Sequence, residues 1–140
     1  MLLIEDNPDD QTLILRALTK NKIANKVIVV NDGAEALDYL FCTGEYLNRD
    51  DNDTPTVILL DLNLPKIGGL EVLQRVRANN KTKLLPVIIM TSSKEEKDVY
   101  KGYELGVNSY ITKPIIFEDF VDAVNTLGLY WLVLNVPPKV

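Results

Sequence analysis

The chain's 140 residues are enough for one domain with one well-buried core, and its 46% apolar and 25% charged residues match an ordinary globular protein. A net charge of −5 argues against a basic face for nucleic acid, and no apolar run approaches the roughly 20 residues of a membrane helix. The absence of histidine removes imidazole catalysis, imidazole metal sites and phosphohistidine chemistry from within the chain, while leaving oxygen-ligand metal sites open.

Short apolar runs alternate with longer amphipathic stretches. Leu2 to Ile4 is the first run, and it passes straight into Glu5 and Asp6, so a secretory leader is not expected. Asn7 can cap and Pro8 can open a first helix, whose apolar face carries Leu13, Ile14, Ala17 and Leu18. A second strand is expected over Val27 to Val30, and a second helix after Asp32-Gly33 with Ala34, Leu37, Leu40 and Phe41 on its inner face. Cys42, beside them, reads as a half-buried structural thiol; as a lone cysteine it suits a reducing cytoplasm. The polar stretch Gly44 to Thr56 reads as a long, mobile surface loop without chemistry of its own.

Val57 to Leu60 forms the third strand. A third helix follows Gly68-Gly69 with Leu70, Leu73 and Val76, and Val87 to Met90 forms the fourth strand. A fourth helix is expected from about Ser93, stopping near Gly106, a residue suited to a left-handed terminator. A weaker fifth strand at Tyr110 and Ile111 ends at Pro114, and a fifth helix carries Ile116, Phe117, Phe120, Val121 and Val124. The tail after Leu127 holds Leu129, Tyr130, Trp131, Leu132 and Val133, then Pro137-Pro138. Five strand-then-helix units with continuous Val/Ile/Leu strands predict right-handed crossovers and an α/β, doubly wound, five-stranded parallel sheet.

Ligands of such sheets gather at the carboxyl ends of the strands, where strand order switches. In a flavodoxin-like (βα)5 order of 2-1-3-4-5, the first and third strands are neighbours, so Glu5 and Asp6 would meet Asp61 in one pocket. Like charges so close raise one another's pKa unless a cation lies between them, and hard oxygen ligands of this number suit Mg²⁺. Taken singly, each acid reads equally well as a cap or a loop charge; the joint placement carries the weight. Thr91 ends the fourth strand and Lys113 follows the fifth, adding a hydroxyl and an ammonium to the same edge. A carboxylate nucleophile, a cation, a hydroxyl and an ammonium are the parts phosphoryl transfer needs, since its catalysis is mostly positioning and charge stabilisation.

In order, Ile4-Glu5-Asp6-Asn7, Leu59-Leu60-Asp61-Leu62-Asn63-Leu64-Pro65, Met90-Thr91-Ser92 and Tyr110-Ile111-Thr112-Lys113-Pro114 closely resemble the motifs of receiver domains of two-component response regulators. The match runs from Leu2 to about Leu127. The resemblance implies a receiver domain over residues 1–128 and a tail over 129–140, with no separate output domain. It implies that Asp61 is the phosphoacceptor, and that Glu5, Asp6, Asp61 and the backbone carbonyl of Asn63 hold Mg²⁺ or Mn²⁺. By the same likeness Thr91 is the switch hydroxyl, Lys113 the phosphoryl-pairing lysine joined to Pro114 by a cis peptide, and Tyr110 the aromatic switch. Asn63 and Ser93 occupy positions that tune hydrolysis of the acyl phosphate. The chain departs from the family where an acid often precedes the glycine opening helix three: that place is Gly68.

A narrower likeness, to single-domain receivers that partner bacterial phytochrome kinases, lies in Leu62-Asn63-Leu64-Pro65-Lys66, Tyr110-Ile111-Thr112-Lys113-Pro114, Gly44-Glu45-Tyr46 and the Trp131-Leu132 tail. The implied partner is therefore a sensor histidine kinase, phytochrome-like in the narrower reading. The chain would be a stoichiometric phosphoacceptor with autodephosphorylation rather than an enzyme. Neither direct nucleic-acid binding nor a membrane is expected. The apolar tail leaves two readings open, a homodimer or intrachain packing. Rival functions fare less well. A mononucleotide binder would need glycines and donors after strand one, where Glu5-Asp6-Asn7-Pro8-Asp9-Asp10 would repel phosphate. A hydrolase working through an aspartyl phosphate would need a general acid and a substrate pocket that no motif supplies. A phosphorylation-independent module gains no support while Asp61, Thr91 and Lys113 are all present.

Overall fold

The computed structural model describes residues 1–20, 26–92 and 95–113, together with Ile116, Glu118, Phe120 and Asp122. Five parallel strands, β1 (Leu2–Ile4), β2 (Ile28–Val30), β3 (Ile58–Leu60), β4 (Val87–Thr91) and β5 (Ser109–Thr112), lie in the order β2-β1-β3-β4-β5. Helices α1 (Pro8–Lys20), α2 (Gly33–Phe41), α3 (Gly69–Ala78) and α4 (Glu96–Glu104) connect them, and a single 3₁₀ turn spans Gly44–Tyr46. The flavodoxin-like α/β sheet read from the sequence is therefore the one observed. The fifth helix is represented by Phe120 and its described neighbours; Ser93, Pro114 and the tail over 129–140 lie outside the described residues.

Strand residues point alternately to the two faces, so each run fills two cores. Leu2, Ile4, Ile58, Leu60, Val87 and Ile89 face α2 and α3 with Leu37, Leu40, Val72, Leu73 and Val76. Leu3, Leu59, Ile88 and Met90 face Ile14, Ala17 and Leu18 of α1 and the buried Phe120. Each buried Leu, Ile or Val contributes about 1.5–3 kcal/mol relative to an exposed one. This double burial explains why the runs are continuous rather than alternating.

Local chemistry fixes the helix ends. Asn7 Oδ1 accepts from the Asp9 and Asp10 amides at 2.9 and 3.1 Å, and Asp32 Oδ1 accepts from the Glu35 amide at 2.7 Å. The Glu35 amide, through that bond, holds the Asp32 carboxyl below its usual range. Gly106, at φ 75°, takes the left-handed conformation just past α4, where its lack of a Cβ is useful. Cys42 also adopts a left-handed conformation, with φ 56°, and caps α2 through its amide, which donates to the Asp38 carbonyl.

Two expectations are corrected. The loop from Gly44 to Thr56 is pinned rather than loose. Arg49 donates to the carbonyls of Tyr39 at 2.8 Å and Leu40 at 3.4 Å, and to that of Asp53, with its guanidinium 4.2 Å from the Tyr39 ring centre. Tyr46 packs edge-on against Tyr39 at 5.1 Å and donates its hydroxyl to Glu35 at 2.7 Å, which pushes its own pKa up to about 12. Ile116, expected on the inner face of helix five, is 62% exposed; just ahead of that helix, it escapes the face that buries Phe120.

Candidate phosphoacceptor and metal site

Glu5, Asp61, Thr91 and Lys113 are set by the sheet itself. The Glu5 amide donates to the Val30 carbonyl at 3.1 Å and the Asp61 amide to that of Ile4 at 3.0 Å, continuing the ladder one residue past the strands. At the outer strands, the Lys113 amide donates to the Thr91 carbonyl at 2.7 Å. Residues far apart in sequence thus end on one edge because their strands end there together. Gly69 lets α3 start hard against this edge, since a Cβ there would run into the Asp61 and Leu62 backbone.

The Lys113 ammonium is the centre of the site. Nζ lies 2.5 Å from Glu5 Oε1, 2.8 Å from Asp10 Oδ2 and 3.1 Å from Asp61 Oδ2. Burial works against its charge, but the surrounding carboxylates, Asp10 and Glu5 foremost, outweigh burial and hold its pKa above the ordinary lysine value. Glu5 is 1% exposed. Its burial, reinforced by the Asp61 charge against the opposing pull of Lys113, pushes its pKa up to about 7.

Glu5, Asp6 and Asp61 each offer a carboxylate oxygen, all within 4.8 Å of one another, with Glu5 and Asp61 buried and Asp6 exposed. Clustered hard oxygen donors, two of them buried, fit a divalent cation such as Mg²⁺ or Mn²⁺. The exposed Asp6 leaves that side open to the water ligands Mg²⁺ keeps.

Asn63 bridges the acid to the hydroxyl. Its amide donates to Asp61 Oδ1 at 3.1 Å, and its side-chain Nδ2 donates to Thr91 Oγ1 at 3.1 Å and to Ser92 Oγ at 3.0 Å. Thr91 is fully buried, whereas Tyr110 is half-buried on β5 and packs against the α2–α3 core beside Gly102 of α4. Sequence reasoning named Asn63 only for its carbonyl and its tuning position; the side-chain bridge was not foreseen. It also passed over Asp10 and Gln11. Gln11 Nε2 donates to the Glu5 carbonyl at 2.5 Å and to Asn31 Oδ1 at 2.8 Å, bracing the first strand end. The available signal was topological: the first turn of α1 leaves directly from a site-bearing strand, so its polar residues sit beside the site. A separate cavity of about 550 Å³ between Phe41 and Asn79 lies at the other end of the sheet.

Among the described residues no helix is long and apolar enough to cross a membrane. Residues 1–125 match the family model of the response regulator receiver domain. Response regulator Rcp1 of Synechocystis sp. is 39% identical over 132 residues, 94% of this chain and 88% of that protein. Its Mn²⁺-bound crystal structure superposes with a TM-score of 0.85 at 38% identity, covering 99% of this chain and 97% of the other. The phosphorylated cyanobacterial phytochrome response regulator RcpA gives 0.86 at 38% identity, covering 99% and 96%. The bacteriophytochrome response regulator RtBRR is 54% identical with a TM-score of 0.80, covering 99% of this chain and 82% of its own. With its motifs at the strand ends, its sheet order and these relatives in agreement, the chain belongs to the response regulator receiver domain family.

Proposed function

We propose that Asp61 accepts a phosphoryl group from a phosphohistidine on a sensor histidine kinase and that the resulting charge throws a conformational switch. The observation that carries this reading is the single ammonium of Lys113 held between Glu5 and Asp61 at the carboxyl edge of the sheet. An Asp61 carboxylate oxygen attacks phosphorus, the O–P bond forms as the P–N bond breaks, and the leaving imidazole takes up a proton. Lys113 supplies positive charge on one side of the transferring group. Glu5, Asp6, Asp61 and the Asn63 carbonyl would hold Mg²⁺ or Mn²⁺, which supplies Lewis-acid neutralisation of the phosphoryl oxygens.

The phosphoryl group brings close to two negative charges and three acceptor oxygens. Thr91 would turn its hydroxyl toward them, and to do so it gives up the bond it accepts from Asn63 Nδ2. Tyr110, half-buried beside α4, would move into the space so altered. Water attack would return the aspartate, and by the family resemblance Asn63 and Ser93 would tune that autodephosphorylation. Output passes through protein contacts in the cytoplasm, from a receiver unit over residues 1–128 with a tail over 129–140. The names of RcpA and RtBRR support a phytochrome-like kinase as the partner.

Incubation with Mg²⁺ and acetyl phosphate, read by intact mass, tests the reading. One added phosphoryl group is expected, lost with EDTA and absent in Asp61→Asn. No adduct in the wild type, together with no binding of the beryllofluoride mimic, would sink it. A homodimer through the tail would show as a fall to monomer mass in size-exclusion chromatography once the chain is cut after Leu127.

A further inference from the structure

We infer that Asp10 is a positioning residue that acts through Lys113: it gives the ammonium a second resting place, so that Glu5 and Asp61 can be released to a cation. This rests on the reading of the site given above. Three carboxylates touch Nζ, yet they are not equivalent. Glu5 and Asp61 also belong to the oxygen cluster with Asp6, whereas Asp10 does not. Among the described residues, Lys113 is the one cationic group that the Asp10 carboxylate meets.

Asp10 is firmly placed. It sits in the first turn of α1, where its amide is tied to the Asn7 side chain at 3.1 Å, and its carboxylate is 26% exposed against 1% for Glu5 and 6% for Asp61. The dilemma it resolves is electrostatic. In the cation-free protein Lys113 pairs with Glu5 and Asp61, so any cation must compete with a half-buried ammonium for the same carboxylates. An ammonium pushed off two carboxylates with no third partner would be left desolvated and unpaired, which is strongly unfavourable. With Asp10 at 2.8 Å it keeps a charge-assisted hydrogen bond and stays within reach of Asp61.

The test is a cycle of Mg²⁺ affinities, measured by calorimetry at fixed ionic strength on the full chain: wild type, Asp10→Asn, Lys113→Met and the double variant. Asp10→Asn should weaken Mg²⁺ binding about three- to tenfold, the size expected for a partly exposed charge pair. The loss should shrink at least about threefold in the Lys113→Met background, where there is no ammonium to rehouse. An equal loss in both backgrounds would mean that Asp10 acts only as a distant charge. A larger loss without Lys113 would make it a ligand in its own right. Either result overturns the inference.

Should Lys113→Met not fold without cation, the Lys113 side-chain nitrogen resonance in Mg²⁺-saturated protein decides instead. A clear shift between wild type and Asp10→Asn supports the ammonium resting on Asp10, and an unchanged resonance overturns it. Acetyl phosphate labelling of the same wild-type batch keeps the two readings apart. If Asp61 takes no phosphoryl group, the acceptor function fails while the Mg²⁺ cycle still reports on Asp10.

Discussion

At the carboxyl edge of the sheet, Glu5, Asp10 and Asp61 crowd around one ammonium; at the amino edge, guanidiniums answer neutral carbonyls. There Arg77 donates from Nε to Leu105 at 2.6 Å, from Nη1 to Lys83 at 2.9 Å and Leu85 at 2.8 Å, and from Nη2 to Gly106 at 3.0 Å. It ties the end of α3 to the end of α4 and to the segment before β4. Arg49 does the same for the end of α2. The amino edge is satisfied by directional hydrogen bonds, while the carboxyl edge holds more like charge than it can comfortably neutralise. One end keeps the fold in shape; the other stores the electrostatic imbalance that a cation and a phosphoryl group can discharge.

That contrast can be broken most severely at Arg77. Arg77→Ala removes the donor from four carbonyls in two segments and should destabilise the protein by about 3 kcal/mol in denaturant titration. The cation affinity should hardly change, because the damage lies at the other end.

The opposite edge should answer to pH. Glu5, at about 7, must lose its proton to bind a cation, so Mg²⁺ affinity should fall toward tenfold per unit as pH drops below 7. The cation-free protein carries the reverse dependence. Because the folded pKa lies above the ordinary 4.5, Glu5's contribution to stability is complete below that value and is lost as pH rises through 7. Melting curves across pH 5 to 8, with and without Mg²⁺, would reveal both slopes, and parallel curves would contradict the assignment.

Asp61→Asn should raise the stability of the cation-free protein by about 1 kcal/mol by removing one crowded charge, even as it abolishes phosphoryl acceptance. A fall in stability would mean that the carboxyl edge is as well satisfied as the amino edge. Smallest of all, Asp32→Ala removes the bond to the Glu35 amide and should destabilise by about 0.5–1 kcal/mol with no effect on the cation.

The same division decides what the sequence could reveal. The strands were readable because burial on both faces leaves uninterrupted runs such as Val87 to Met90, and the acids because each directly follows such a run. The edges of the elements shifted by a residue: β2 starts at Ile28, β3 at Ile58, and β5 extends over Ser109–Thr112. Arg49 and Arg77 were not legible, since a guanidinium reaching main-chain carbonyls of distant turns imposes no periodicity and no partner residue type. The loop after α2 was misread for this reason: its polar composition describes its solvent face, while Tyr46 and Arg49 hold its inner one. Asp10 was hidden differently. Among the four acids within Glu5 to Asp10, nothing in composition marks Asp10 as one that reaches across to Lys113.

The ion pair between Lys113 and Glu5 closes a span of 108 residues. During synthesis the first strand and its acids emerge before the other strands of the sheet, but their ammonium arrives only when the fifth strand is made. A partly synthesised chain therefore carries the acids without their counter-charge, and the acceptor edge is completed among the last steps of the domain's assembly. The geometry thus makes competence to receive a signal a late event, available to a chain whose sheet is already whole.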